Sequence, residues 1–141
     1  MANDGSDFAR SMSIATSGLR AQAGRMRVIS ENIANAESTA QTAGGDPYRR
    51  KVPTFSTALD RSLDAKTVSL GKVRPDQSAF RVKHEPGNPA ADASGNVKYP
   101  NVNPLVEMTD MREAQRSYEA NLNIISATRR MIQRTLDILK A

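Results

Sequence analysis

The feature that most constrains the fold is a pair of amphipathic patterns, one at each end of this 141-residue chain. In residues 1–39 a mostly apolar pattern recurs at spacings of three and four, with Gln22 as its one polar member: Met12, Ala15, Leu19, Gln22, Met26, Ile29, Ile33 and Ala36. The same spacing recurs in residues 104–141, with Gln115 and Arg129 as polar interruptions: Met108, Met111, Gln115, Tyr118, Leu122, Ile125, Arg129, Ile132, Leu136 and Leu139. Such spacing places the side chains on one face of a helix, so each arm is predicted to form a long helix.

The ends of both helices carry recognisable signals. The first helix is predicted over residues 8–36, with Ser6 or Asp7 as its N-terminal cap. The second is predicted to begin at Asn103-Pro104, because asparagine caps a helix and proline fits its first position. Each helix would be about 45–50 Å long at 1.5 Å per residue.

Residues 40–103 lie between the arms and are predicted to be irregular, with a little β structure. All the prolines lie between residues 47 and 104, and proline interrupts long helices. Alternating side chains predict strands at 67–70 and 79–83, joined as a hairpin by a turn over 72–77. A third strand is predicted around 97–99, after an irregular stretch over 84–96. The expected fold is therefore mainly α, with helical arms at 1–39 and 104–141.

Composition excludes several classes of function. The chain is 38% apolar and 4% aromatic, with one histidine and no cysteine. So few large apolar side chains argue against an enzyme with a deep pocket. Without cysteine there is no thiolate nucleophile or disulfide, and one histidine excludes a multi-histidine metal site. No apolar run approaches the ~20 residues that span a bilayer, and the N-terminal residues show no cleavable secretory signal.

No residue forms a convincing catalytic group. His84 beside Glu85 would suit a general base, but no nucleophile motif accompanies it, so we favour a solvated loop histidine. Asp60 and Asp64 are interpreted as the solvated face of a helical-looking turn rather than as an acid–base pair. We therefore expect no catalytic, cofactor-binding or metal-binding residues.

The densest basic run is Tyr48-Arg49-Arg50-Lys51, and most of the net charge of +5 lies in the central residues 40–103. One interpretation is a helical-hairpin adaptor whose basic loop binds nucleic acid through these cations, with Tyr48 stacking on a base. The other is an exposed charged loop that contacts protein. One four-residue cluster without a wider basic face favours the second.

The helices themselves predict self-association. Paired in one molecule, they would form an antiparallel hairpin that buries one seam of each helix. Further apolar positions lie outside those seams: Ile14, Val28, Leu105, Ile124 and Ile138. Because a hairpin would leave this apolar surface in water, we expect an oligomer built by helix packing.

Several separate motifs in order identify a family. They are Ser17, Gly18 and Leu19; Asn32, Ile33, Ala34 and Asn35; Pro47, Tyr48, Arg49, Arg50 and Lys51; Tyr99, Pro100, Asn101, Val102 and Asn103; and Tyr118, Glu119, Ala120 and Asn121. Together they resemble the bacterial flagellar basal-body rod proteins, and those of the proximal rod in particular. The likeness covers both arms and their junctions with the centre, while residues 56–95 add little to it.

The resemblance implies a structural subunit without catalysis or cofactor. In that family the terminal helices pair as a coiled-coil-like core, and many subunits pack helically into a hollow, torque-transmitting rod around an export channel. The implied partners are other copies, other rod proteins, ring and adaptor proteins at the rod base, and the flagellar type III export apparatus. Export without a cleaved signal would place the chain in the periplasmic part of the basal body.

The resemblance also implies roles for individual residues. Asn32 and Asn35 are either ordinary polar residues at a fraying helix end or amides that bond backbone groups of a partner helix or subunit. Residues 48–51 would form a contact loop toward a neighbour or the membrane ring. Helix packing and assembly are expected to depend on Leu19, Met26, Ile29, Ile33, Met108, Met111, Tyr118, Leu122, Ile125, Ile132, Leu136 and Leu139.

Overall fold

The computed structural model describes residues 4–140 as two long helices separated by short strands. Helix α1 spans Asp4–Ala34 and helix α2 spans Pro104–Lys140. The strands are β1 (Lys51–Val52), β2 (Phe55–Asp60), β3 (Ala65–Leu70), β4 (Arg74–Pro75), β5 (Arg81–His84) and β6 (Asn96–Tyr99). The prediction of two helical arms around a small β centre is confirmed. With helices of 31 and 37 residues in a chain of 141, the fold is mixed helix and strand rather than mainly α.

The two helix starts differ in how well the sequence predicted them. Helix α2 begins at Pro104 as predicted, and the side-chain oxygen of Asn103 accepts the N–H of Leu105 at 3.1 Å. Helix α1 begins at Asp4 rather than near residue 8, and it ends at Ala34, two residues before the end of the apolar pattern. The pattern shows where the apolar face begins, whereas nothing in residues 4–7 stops the backbone from continuing the helix.

The strands form three separate two-stranded antiparallel sheets: β1 with β4, β2 with β3, and β5 with β6. The predicted hairpin between 67–70 and 79–83 is therefore wrong in its pairing. Strand β3 pairs with β2, so that Phe55 faces Leu70 and Asp60 faces Ala65. Strand β5 pairs with β6, the strand predicted around 97–99.

A short connection explains why β2 displaces the predicted partner of β3. Residues 61–64 form a tight turn, and closing a short loop costs less conformational entropy than closing a long one. Asp64 has a φ of 47°, a left-handed conformation that aspartate tolerates better than most residues. The stretch from Asp60 to Asp64 is thus the turn of a β-hairpin, and its interpretation as a helical-looking turn is wrong.

The chain divides into two compact units, each assembled from three segments and each containing part of both helices. The hairpin unit comprises Met1–Met26, Thr54–Lys72 and Glu113–Ala141, and it contains the β2–β3 hairpin. The junction unit comprises Arg27–Pro53 and Val73–Arg112, and it contains the other two sheets. The two units are built from different kinds of residue.

In the hairpin unit, α1 and α2 run antiparallel. Gly18 lies against the side chain of Asn121, and the guanidinium of Arg25, one heptad later in α1, lies 3.4 Å from the carboxylate of Glu113, earlier in α2. Strand β3 runs along α1, where the hydroxyl of Ser17 accepts the N–H of Val68 at 3.2 Å. One helix of this unit is therefore contacted by both the other helix and the hairpin.

The junction unit has a mixed apolar core. Val97 and Tyr99 of β6 pack with Ala90, and Val102 is 1% exposed. The Tyr99 hydroxyl donates to the carboxylate of Glu85 at 2.8 Å, and this hydrogen bond lowers the pKa of Glu85. Strand β6 thus anchors the otherwise irregular stretch over 84–96.

Candidate functional site

A buried amide lies at the centre of the junction unit. Asn32, in the last turn of α1, is completely buried. Its Oδ1 accepts the hydroxyl of Tyr48 at 2.8 Å and the N–H of Lys51 at 2.9 Å. Its Nδ2 donates to the carbonyl oxygen of Lys51 at 2.8 Å and to Oε2 of Glu107 at 3.1 Å. Both hydrogens and both lone pairs of this amide are therefore used.

Glu107 carries the second half of this polar cluster. Glu107 lies in the first turn of α2 and is completely buried. Its Oε1 accepts the Nε–H of Arg50 at 2.5 Å. The same guanidinium also lies 3.5 Å from Asp76 and 3.7 Å from Asp110. A buried carboxylate paired in this way is costly to leave unpaired, so the ion pair fixes the loop against α2.

The other cations of the basic run are also held within the junction unit. The guanidinium of Arg49 lies 4.2 Å from the centre of the Phe80 ring and donates to the carbonyl oxygen of Asp76 at 3.0 Å. The ammonium of Lys51 forms an ion pair with the carboxylate of Glu31. The loop at 48–51 is therefore tied to its own chain by each of its three basic side chains.

Asn101 connects the motif at residues 99–103 to the loop at residues 48–51. Its Oδ1 accepts the N–H of Arg50 at 2.8 Å, while its Nδ2 donates to Oγ of Ser78 at 2.9 Å and to the carbonyl oxygen of Asp76 at 3.1 Å. Its neighbours in the motif, Pro100 and Val102, are buried. The segment that leads into α2 is thus held by hydrogen bonds on the polar residue and by packing on the apolar ones.

The electrostatics of the cluster match its geometry. Burial raises the pKa of Tyr48 to about 12, and the negative charges of Glu31 and Glu107 add to the effect. The pKa of Asp76 is lowered because its carboxylate accepts the N–H and the hydroxyl of Ser78 and lies near the Arg50 charge. Both shifts stabilise the protonation states that the hydrogen bonds require at neutral pH: a tyrosine that donates and a carboxylate that accepts.

The family motifs in the hairpin unit also meet one another. A Cβ on Gly18 would lie 3.0 Å from both terminal atoms of the Asn121 amide, which is closer than such atoms normally approach. The side chain of Asn121 occupies the space that any other residue at position 18 would fill. The Ser-Gly-Leu motif of α1 therefore contacts the Tyr-Glu-Ala-Asn motif of α2.

Burial separates the predicted packing residues into three groups. Ile29 is fully buried. A second group is half-buried: Leu19, Met26, Ile33, Met111, Tyr118, Ile125 and Ile132. The third group is exposed, namely Met108, Leu122, Leu136 and Leu139, so these four leave much of their apolar surface uncovered in the single chain. Their role in assembly stays a prediction.

The exposed group has a physical explanation in the phase of α2. Small and polar residues, Ala114 and Thr128, are the buried positions of its middle part, with Asn121 midway between them. These three residues are spaced by seven and therefore share one face. Met108, Leu122 and Leu136 lie about 80–120° around the helix from the nearest of these residues, whereas Leu139, close to the end of α2, lies near the same face.

The residues considered as catalytic or metal-binding groups do not form such a site in the described part of the chain. His84 is exposed, and its Nδ1 lies 3.2 Å from Oδ1 of Asn96 on the paired strand. Within residues 4–140, no three acidic, histidine or cysteine side chains come together as a metal site would require. Neither α1 nor α2, over those same residues, has the length and apolarity needed to cross a bilayer.

Two members of the polar cluster carried no signal in the sequence. Glu107 lies in the first turn of a helix, where acidic residues are common because they favour the helix dipole, so its burial was not apparent. Asp76 follows a proline in a segment predicted to be a turn. Only the pairing of β1 with β4, in which Lys51 faces Pro75, brings Asp76 to the basic run.

Comparison with known proteins gives a consistent picture. A family model described as flagella basal body rod protein matches residues 12–40, and one described as flagellar basal body rod FlgEFG protein C-terminal matches residues 93–138. The chain is 54% identical over 128 residues to the flagellar basal-body rod protein FlgC of Agrobacterium fabrum, covering 91% of this chain and 92% of that protein. The proteins of the same name from Bacillus subtilis (37% over 145 residues; 92% and 97% covered) and Salmonella typhimurium (38% over 125 residues; 89% and 92% covered) are also similar.

Proposed function

The chain belongs to the FlgC family of flagellar basal-body rod proteins, and we propose that it builds the proximal part of the rod. In this proposal many subunits pack helically into a hollow shaft that transmits torque and surrounds the export channel. The family is a structural one, and its members assemble with other rod components in the basal body. The similarity to FlgC proteins therefore confirms the expectation of a rod subunit. Its position in the proximal rod and the hollow form of the shaft are what we propose beyond that.

One observation supports an assembling subunit most directly. Helix α2 keeps large apolar side chains exposed along its second half, including Leu122, Met131 and Leu139. A protein that functions alone rarely leaves a helix in this state, because exposed apolar surface favours association. Packing with neighbouring subunits would cover these side chains, and many such contacts along stiff helices would carry torque.

The proposal includes a place and a set of partners. We place the subunit in the periplasmic section of the basal body, exported without a cleaved signal peptide. Its partners would be other copies of itself, other rod proteins, ring and adaptor proteins at the rod base, and the flagellar type III export apparatus. The antiparallel helices of the hairpin unit support a coiled-coil-like core, with arms at 1–39 and 104–141 and a centre at 40–103.

The role we propose involves no catalysis and no nucleic acid. The nucleic-acid alternative depended on Arg49, Arg50 and Lys51 as free cations. Each of the three has an intramolecular partner: Phe80, Glu107 and Glu31, respectively. The basic run is therefore accounted for by the fold of the junction unit.

The test uses a strain that lacks its own proximal rod subunit. The double variant Leu122→Asp with Ile125→Asp introduces two charges on the apolar side of α2 and should abolish rod assembly and swimming. The matched control, Asn123→Asp with Ser126→Asp, adds the same charges at exposed polar positions of the same helix and should restore swimming as the unmodified chain does. Swimming by the first variant, or failure of the unmodified chain to restore it, would contradict the proposed function.

A further inference from the structure

Strand β2 is paired along one edge and faces water along the other. Within residues 4–140 the only strand that pairs with β2 is β3, and residues 55–59 are all exposed. Strand β3 instead lies along α1, where the N–H of Val68 donates to the hydroxyl of Ser17. Strand β2 is therefore the outer edge of the hairpin.

The ladder between β2 and β3 shows which backbone groups of β2 point outward. The N–H of Gly71 donates to the carbonyl oxygen of Thr54 at 2.6 Å, so these two residues form a hydrogen-bonded pair. The N–H of Val68 points to α1, so Val68 and its partner Thr57 form a non-hydrogen-bonded pair. Because the two kinds of pair alternate, the N–H and carbonyl groups of every second residue of β2 point away from β3: Phe55, Thr57 and Leu59.

This outer edge has none of the usual protection against strand pairing. Edge strands are commonly protected by charged residues, proline or a bulge. The first five residues of β2 are uncharged and none of them is proline. Strand β2 also pairs one-to-one with β3 over its whole length, so it has no bulge. The edge is thus able to accept a further strand.

The outward groups determine which register a second copy of β2 can adopt. Antiparallel pairing centred on Thr57 places Thr57 opposite Thr57 and Phe55 opposite Leu59. Each such pair exchanges two hydrogen bonds, so every outward group of both strands is used. A shift by two residues would bring either Pro53, which has no N–H, opposite Leu59, or Arg61 of the turn opposite Phe55. The register centred on Thr57 is therefore the one that pairs both edges fully.

The side chains are complementary in the same register. A phenylalanine opposite a leucine and a threonine opposite a threonine are both cross-strand pairs that stabilise a sheet. Phe55 and Leu59 are 44% and 54% exposed in the single chain. The two Asp60 carboxylates would lie at opposite ends of the pair, about 20 Å apart at 3.4 Å per residue, which is beyond the Debye length of about 8 Å. No like charges therefore face each other.

We propose that β2 of one subunit pairs antiparallel with β2 of a second copy, centred on Thr57, in a two-fold symmetric dimer of the free subunit. The same edge serves both copies, so the contact is isologous and closed. It is therefore distinct from the repeated packing of a rod, and it does not depend on the proposed function. Its effect is to cover an edge that would otherwise pair with other chains.

Disulfide formation tests the register, because the chain has no cysteine of its own. In the proposed dimer the two copies of Thr57→Cys have Cα atoms about 5.5 Å apart, which suits a disulfide. Mild oxidation of the full-length variant should therefore give a covalent dimer. The matched control is Ser69→Cys, an exposed position of β3. Its two copies would be three strand spacings apart, at least about 14 Å, and should not link.

The direction of pairing is tested with two further variants. Phe55→Cys and Leu59→Cys should form a disulfide when mixed, and neither should link to itself. Parallel pairing would instead make each variant link to its own copy. Self-linking at position 55 or 59 as strong as at position 57, or equal linking by Ser69→Cys, would overturn the proposal.

Sedimentation equilibrium on the cysteine-free chain measures the dimer itself. Thr57→Lys places two positive charges opposite each other and should raise the dissociation constant of the dimer by about tenfold or more. Ser69→Lys adds the same charge to the same hairpin away from the edge and should leave the dissociation constant unchanged. Circular dichroism should show that both lysine variants keep the helical content of the unmodified chain.

The double variant Leu122→Asp with Ile125→Asp separates this contact from association through α2. Its dimer should be as strong as that of the unmodified chain, because the β2 edge is intact. A subunit that stays monomeric up to about 1 mM, a dimer that Thr57→Lys does not weaken, or a dimer lost only in the α2 variant would overturn the proposal.

Discussion

The two compact units differ in what they bury. Among the described residues, the buried apolar positions of the hairpin unit are alanines: Ala15, Ala21, Ala65 and Ala114. The junction unit instead buries larger side chains, namely Val28, Ile29, Val97, Tyr99 and Val102, together with the polar pair Asn32 and Glu107. The same two helices contribute to both units, so the difference arises from the side chains and not from the type of backbone structure.

The difference shows where the stability of a single subunit is concentrated. A fully buried valine, isoleucine or phenylalanine contributes about 1.5–3 kcal/mol, and an alanine has too few carbon atoms to contribute as much. Both units leave large apolar side chains exposed, for example Leu122, Ile124 and Met131 in the hairpin unit and Val82, Leu105 and Met108 in the junction unit, so the contrast lies in what each unit buries. We expect the junction unit to hold itself together, and we propose that the surfaces of neighbouring subunits complete the hairpin unit.

The largest contrast is expected between two glutamates of α2. Glu107→Gln removes the charge that pairs with Arg50 in the buried cluster and should lower the free energy of unfolding by about 2–3 kcal/mol. Glu113→Gln removes the partner of Arg25 at a carboxylate that is 65% exposed, and should cost less than about 0.5 kcal/mol. Urea unfolding followed by circular dichroism measures both, and equal losses would remove the distinction between the units.

The two asparagines of one motif give the next contrast. Asn32→Ala removes an amide with four hydrogen bonds and leaves buried groups of Lys51 and Glu107 unsatisfied, at a cost of about 2 kcal/mol. Asn35→Ala removes a half-buried amide that donates to the carbonyl oxygen of Glu31, and should cost about 0.5–1 kcal/mol. The same urea experiment applies, and a larger loss at position 35 would show that the buried cluster is not the stabilising feature.

A glycine tests the hairpin unit in the same way. Gly18→Leu forces a side chain into the space of Asn121 and should destabilise the subunit by about 1–2 kcal/mol. Gly5→Leu is the matched control, because nothing lies within 4 Å of a Cβ at that position. Leucine favours helix over glycine, so the control should be neutral or slightly stabilising in thermal unfolding. A stable Gly18→Leu protein would mean that α1 and α2 do not approach closely there.

The smallest effect concerns acid. The pKa of Asp76 lies below its ordinary value of 3.8 because of its hydrogen bonds from Ser78 and the nearby Arg50 charge. As pH falls, the unfolded chain takes up this proton before the folded chain, so the stabilisation is present above about pH 5 and is lost through 3.8 and below. Asp76→Asn should therefore reduce the loss of stability between pH 5 and pH 3, as measured by urea unfolding at the two pH values. Identical acid profiles for Asp76→Asn and the unmodified chain would contradict this.

Periodicity predicted the helices because their amphipathic pattern is local. The start of α2 was also predictable, because Asn103 and Pro104 act within one helical turn. Strand pairing was not, because the alternation over 67–70 does not determine whether the partner comes before it or after it. The turn at Asp64 decides that question through backbone geometry.

The polar cluster illustrates a different limit. The sequence marked Asn32 and the run 48–51 as candidates, and the structure brings them together through hydrogen bonds. The sequence did not show that Arg50 would contact Glu107 and Asp76, because these residues are far apart in the chain. A buried charge looks like a surface charge in the sequence, since only the packing around it determines its exposure.

The most direct test of the account is amide hydrogen exchange on the full-length subunit, free in dilute solution and within isolated basal bodies. Amides of the junction unit, such as those in β6 and the last turns of α1, should be protected in both states. Amides of α2 after residue 122 should exchange at least a hundred times faster in the free subunit than in the rod, where they become protected. Equally strong protection of both units in the free subunit would contradict the claim that neighbours complete the hairpin unit.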